Sequence, residues 1–140
     1  MHPNRNSSVH NNLNYTHNMN VITYRLLKVV KDLSGNIDEI VKRNIYRNDV
    51  GNHIKNEIRN ELIAIHEYTE NYLHDKTTSS VYHNELAYSR LRLAKILDEI
   101  IDMEFFGDRE LLMTNNVYDS LIILRQTIYI VMSQIAMNEF

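Results

Sequence analysis

Residues 121–137 read LIILRQTIYIVMSQIAM, and this stretch decides the fold. Leu121, Ile122, Ile123 and Leu124, then Ile128, Ile130, Val131 and Met132, place apolar groups nearly all round a helix. A helix that is apolar on more than one face is buried on more than one side. Arg125 and Gln126 interrupt the run, which is also shorter than the roughly 20 apolar residues a membrane-spanning helix needs. The stretch therefore reads as a buried helix. One side fills the core of its own chain; the other requires a neighbour, because a large exposed apolar patch on a monomer is a liability. The expectation is self-association with Ile122, Ile123 and Ile130 at the interface, and cyclic closure is the usual way to satisfy such a surface.

Upstream, the same periodicity recurs. Leu86, Leu93, Leu97, Ile100 and Ile101 form one stripe of a helix over about 80–104. Gly107 and Asp108 mark the turn before the last helix, which is expected over about 109–137. Ile54, Ile58, Leu62, Ile65 and Tyr72 line a second helix, capped by Asn48 or Asp49 and closed by the polar, turn-prone HDKTTSS at 74–80. Ile22, Leu26, Val29, Leu33, Ile37 and Ile40 step by three and four along a first helix that begins near Asn20. Its phase continues through Ser34-Gly35-Asn36, so one unbroken helix is expected there, followed by a loop at 43–48. Residues 1–19 hold six asparagines and three histidines (His2, His10, His17) with few apolar groups. Such a segment buries too little surface to offset its ordering entropy and is expected to be a disordered polar tail. Four helices on short links predict an all-α, antiparallel up-down-up-down four-helix bundle over 20–140.

Composition narrows the function. A chain of 140 residues with 44% hydrophobic residues suits one domain with one core. Its single proline is Pro3 and it has three glycines, so long helices meet few breakers. The absence of cysteine excludes disulfides, thiolate chemistry and cysteine-based zinc sites, and suits a reducing cytoplasm. The opening Met1-His2-Pro3-Asn4 lacks a signal-peptide pattern. With a net charge of −3, the whole-molecule field does not attract nucleic acid, so any such binding rests on a local patch.

The candidate chemistry is sparse. Arg47-Asn48-x4-His53 has the form of the arginine and histidine pair of all-helical HEPN-type ribonucleases, in which a near-neutral histidine moves a proton and an arginine steadies phosphate. Here the motif opens the second helix and no aromatic residue follows it; a capping loop with a surface histidine is the plainer reading. His66 and Glu70 lie four apart, but no second helix carries the matching pair a di-metal bundle needs, so neither metal nor cofactor is expected. Basic residues gather at Lys42, Arg43, Arg47, Lys55 and Arg59, and again at Arg90, Arg92 and Lys95. A local excess of this kind can engage a phosphate backbone. Tyr46, Tyr68, Tyr72, Tyr82 and Tyr88 can stack on bases, although bundle tyrosines mostly pack with the hydroxyl at the rim. Leu93 to Asp98 has the spacing of a cell-death helix ligand, a pattern any amphipathic helix produces.

Two stretches carry a family resemblance. Residues 46–54, YRNDVGNHI, resemble the loop before the second helix in accessory variability proteins of diversity-generating retroelements. Residues 84–101, NELAYSRLRLAKILDEII, resemble that family's arginine-studded third helix, with Leu91-Arg92-Leu93-Ala94-Lys95 as the nearest match. Four-helix proteins encoded in intervening sequences of large ribosomal RNA share the plan. The resemblance implies a pentameric, non-catalytic cytoplasmic adaptor. Its partners would be a reverse transcriptase and RNA or DNA, and it would assist mutagenic cDNA synthesis. Arg47, Lys55, Arg90, Arg92 and Lys95 would be the nucleic-acid or polymerase contacts. The alternatives are a HEPN-like ribonuclease and a protein-interaction bundle that binds no nucleic acid.

Overall fold

A computed structural model of the chain describes residues 4–43, 49–103, 112 and 116–139, with side chains over 17–40, 53–103, 112 and 116–138. Four long helices account for nearly all of them: α1 (Asn4–Arg43), α2 (Asp49–Leu73), α3 (Ser79–Ile101) and α4 (Val117–Glu139). The described residues contain no strand. α1 packs against α2 and α4, and α3 packs against the same two. Each helix thus lies beside its neighbours in sequence, and α4 closes the ring onto α1. This is the four-helix arrangement that the hydrophobic periodicity predicts.

The side-chain contacts give the register. Thr69 meets Tyr82 near one end of the α2–α3 seam, while Glu61 meets Arg92 a few turns along it. Numbers fall on α2 as they rise on α3, so the pair is antiparallel. The turn between them is built by local chemistry. Asp75 takes a left-handed conformation (φ 56°), a state that aspartate tolerates better than most residues. The amide of Lys76 then donates to the carbonyl of Asn71 at 2.8 Å, and that of Asp75 to Tyr72 at 3.2 Å. This pairing of late carbonyls with the residues beyond the helix is a Schellman closure. Thr78 caps α3, its hydroxyl accepting from the amide of Val81 at 3.2 Å.

The core is continuous. α1 contributes Met19, Leu26, Val30, Leu33, Ile37 and Ile40; α2 contributes Ile54, Ile58, Leu62 and Ile65. α3 adds Tyr82, Leu86, Leu93, Ile96, Leu97 and Ile100, and α4 adds Val117, Leu121, Leu124, Ile128, Val131 and Ile135. Each aliphatic side chain buried in full stabilises by about 1.5–3 kcal/mol before ordering costs are counted.

Three details depart from the periodicity reading. Val30 takes the core position while Val29 is only partly buried, because adjacent residues point about 100° apart and one must leave the face. The same geometry turns Ile101 outward once Ile100 is seated. Tyr82 lies wholly inside, its hydroxyl 2.8 Å from Thr69 Oγ1 and its ring stacked on Tyr72 at 4.5 Å, so its hydroxyl is not at the rim. Burial pushes the Tyr82 phenol well above its ordinary value, a change that the Thr69 hydrogen bond partly offsets.

At the ends of the chain, α1 begins at Asn4, where the composition leads to an expectation of a polar tail through residue 19. No proline or glycine interrupts the chain between Asn4 and Ser34. Gly35 lies within α1 with open space around it, and the helix passes through Ser34-Gly35-Asn36 as its phase implies. The expected loop residues Asn44–Asn48, the Gly107-Asp108 turn and the expected start of the last helix at Arg109 lie outside the described residues.

Candidate interaction surfaces

α4 presents two opposite faces. Its inner face, at Val117, Leu121, Leu124, Ile128, Val131 and Ile135, is wholly buried. On its outer face Ile123, Ile130 and Met137 are 50%, 45% and 77% exposed. These three recur every seven residues, which keeps them on one stripe of the helix surface. Of the interface residues expected from sequence, Ile123 and Ile130 stand on this stripe, whereas Ile122 is partly buried and packs against the core. Met137 joins the stripe and extends it by two turns; its sequence signal was the seven-residue step from Ile130. Val117–Asn138 is also long and apolar enough to cross a membrane by length and hydropathy alone, yet its inner face is spent on packing against α1 and α3.

A second apolar surface lies between α1 and α2. It is an open groove of about 730 Å³ lined by Leu27, Val30, Leu62 and Ile63, with charged residues on its banks. Ile63 is among the most exposed apolar side chains described. On one bank Lys28 pairs with Asp32 at 2.9 Å. On the other, His66 and His74 approach Glu70 at 3.8 and 3.6 Å, a solvated arrangement.

The basic residues whose side chains are described do not form one patch. Arg47 lies outside the described residues. Lys55 is buried, and Arg59 leans across to Asp38 at 2.9 Å. Arg92 faces α2: its Nε donates to Glu61 Oε2 at 2.7 Å and its Nη2 to Glu61 Oε1 at 3.0 Å, a fork-to-fork pair. That hydrogen-bonded carboxylate raises the guanidinium pKa and keeps it charged. Lys95 lies 3.8 Å from Glu99. Arg90 faces α4 instead. Its guanidinium carbon sits 5.0 Å from the centre of the Tyr129 ring, and its backbone carbonyl accepts from Arg125 Nε at 3.2 Å. Arg90 Nε is buried and has no hydrogen-bond partner among the described residues. Neither Arg90 nor Arg125 pairs with a carboxylate among the described residues. The cationic flank is thus Arg90–Arg125–Tyr129, and two of its members come from α4, on which no basic cluster is visible in sequence. A single arginine inside an apolar run looks like an interruption; only helix packing shows that it joins Arg90.

His53, the histidine of the Arg-Asn-x4-His pattern, is exposed, with Nε2 2.5 Å from Glu57 Oε1 one turn on. Glu99 of α3 completes a group whose donor atoms all lie within 4.8 Å of one another. Partial burial raises the Glu99 carboxyl above its usual range, and the neighbouring Glu57 carboxylate adds to the rise. Tyr68 and Tyr72 are partly buried against the core, and Tyr88 is exposed on α3. No family model matches this chain, and no curated protein or solved structure matches it either.

Proposed function

We propose that this chain is a non-catalytic helical adaptor that assembles with copies of itself through the outer face of α4. One observation carries the reading: Ile123, Ile130 and Met137 stand exposed at heptad spacing on a helix whose opposite face is fully buried. Leaving such a stripe in water forgoes about 25 cal/mol for each Å² that a partner would cover. The occupant is a second copy, since the same chain also carries an apolar groove on α1–α2 with Ile63 exposed at its edge. A stripe on one copy seated in the groove of the next is a heterologous contact, and a heterologous contact closes into a ring when its rotation permits. A ring of this kind agrees with the pentamer that the α3 resemblance implies.

Sedimentation velocity tests the reading. Wild type should sediment as an assembly at micromolar concentration, while Ile123→Glu/Ile130→Glu and, separately, Ile63→Glu should be folded monomers. Mixing the two variants should restore one productive contact and give a dimer, because each retains the surface the other lacks. A wild-type monomer refutes assembly. An assembly lost in the α4 variant but intact in Ile63→Glu refutes the groove and leaves a symmetric α4–α4 contact.

A reverse transcriptase with its RNA is the partner proposed from residues 84–101. The contacts best suited to phosphate are Arg90 and Arg125, whose guanidinium groups no described carboxylate neutralises. Replacing both with glutamine should weaken RNA binding and flatten its salt dependence; unchanged binding removes nucleic acid from the proposal. The ribonuclease alternative expects cleavage that His53→Ala abolishes.

A further inference from the structure

We propose that His53, Glu57 and Glu99 form a site for a divalent first-row metal ion, with zinc as its best fit, that fastens α2 to α3. The three residues lie on two helices: His53 and Glu57 one turn apart on α2, and Glu99 opposite them on α3. Their donor atoms, an imidazole nitrogen and two carboxylate oxygens, fall within 4.8 Å of one another. Donors bound to zinc at about 2.0–2.1 Å in tetrahedral geometry stand roughly 3.4 Å apart. The remaining closure is at most about 1.4 Å, the difference between those two separations, within reach of side-chain rotation at a solvent-facing seam. Two carboxylates with one imidazole and an open fourth position for water is a donor set that zinc accepts, whereas magnesium and calcium favour all-oxygen shells.

The surrounding charges favour a cation here. Arg92, which lines the same depression as Glu57, is consumed by Glu61 further along the seam, so it does not neutralise Glu57 and Glu99. Lys95 stands 3.8 Å from Glu99 and is largely exposed, which makes it a weak, displaceable counter-charge. The α2–α3 register is itself fixed by the Glu61–Arg92 and Thr69–Tyr82 contacts, so the donors are brought together by the fold without help from an ion.

Isothermal titration of the chelator-treated full chain with zinc chloride tests the site, with magnesium chloride as the comparison. The expected result is one saturable zinc equivalent that crosslinks the helices, seen also as a rise in melting temperature, with magnesium at least tenfold weaker. Glu99→Gln should weaken that equivalent at least tenfold, because Glu99 is the sole donor from α3, and His53→Ala should do the same. His66→Ala/His74→Ala should bind as wild type does. The proposal is overturned if Glu99→Gln retains wild-type zinc affinity, or if the His66→Ala/His74→Ala variant loses it. The same holds if wild type shows no saturable binding. Circular dichroism of each variant confirms that lost binding is not lost folding.

Discussion

Replacing Arg92 by alanine would strip the Glu61 carboxylate of the partner that makes its burial tolerable. The Glu61 side chain is only 8% exposed, while that of Arg92 is 46% exposed, so water reaches one partner but scarcely the other. Breaking a fully buried ion pair costs about 3–5 kcal/mol, and an exposed pair contributes about 0–1 kcal/mol. The half-exposed guanidinium places this pair between those limits, and its two charge-assisted hydrogen bonds support about 2 kcal/mol. For a chain of this length, an unfolding entropy of about 2.1 cal/mol/K per residue turns that loss into a fall of roughly 6–7 °C in melting temperature. Urea melts should give the same loss as a lower midpoint at unchanged slope. In the Glu61→Gln background the same substitution should cost about 1–2 kcal/mol less, the coupling expected of a contacting pair. An Arg92→Ala midpoint equal to that of wild type would refute the claim that this pair holds α2 to α3. The result bears on function too. Arg92→Glu would set a second carboxylate against buried Glu61, so any RNA binding lost in an Arg90, Arg92 and Lys95 charge reversal would report damage to the bundle.

Other expectations follow from single positions. Gly35→Ala should stabilise by about 0.5–1 kcal/mol in urea melts, since Gly35 is helical and nothing lies within 4 Å of the added methyl group. Tyr82→Phe should cost about 1 kcal/mol through the unpaired Thr69 hydroxyl, and Thr69→Val in that background should recover most of it. Thr78→Ala should cost about 1 kcal/mol and fray the start of α3, seen as faster amide exchange at Val81. Glu85 has a raised carboxyl pKa, through partial burial first and the Glu67 carboxylate second. The stability it contributes is therefore present below the ordinary glutamate range and lost as pH rises through the folded value. Glu85→Gln should accordingly gain stability relative to wild type at pH 7 and show no such gain at pH 3.

The candidate surfaces were legible to different depths. Ile123 and Ile130 could be named from sequence because a helix that is apolar all round must expose some of that surface. Ile122 could not be separated from them, since residues 100° apart on one helix divide between core and surface only once the neighbouring helices are placed. Arg92 and Lys95 look like a basic patch beside Arg90 in sequence. In the bundle they face Glu61 and Glu99 of the α2–α3 seam, while Arg90 turns to Tyr129 on α4. Charge signs are written in the chain, but neutralisation is decided by what lies across a helix interface.

Periodicity and the near absence of breakers determined four helices, a turn within 74–80 and most of the core, because those follow from steps of three and four and from local hydrogen bonding. Tertiary structure alone decided that Tyr82 is interior, that Arg92 is occupied, and that His53, Glu57 and Glu99 meet. Glu99 lies more than 40 residues from the other two in the chain. No local rule links positions so far apart; the antiparallel register of α2 and α3 does.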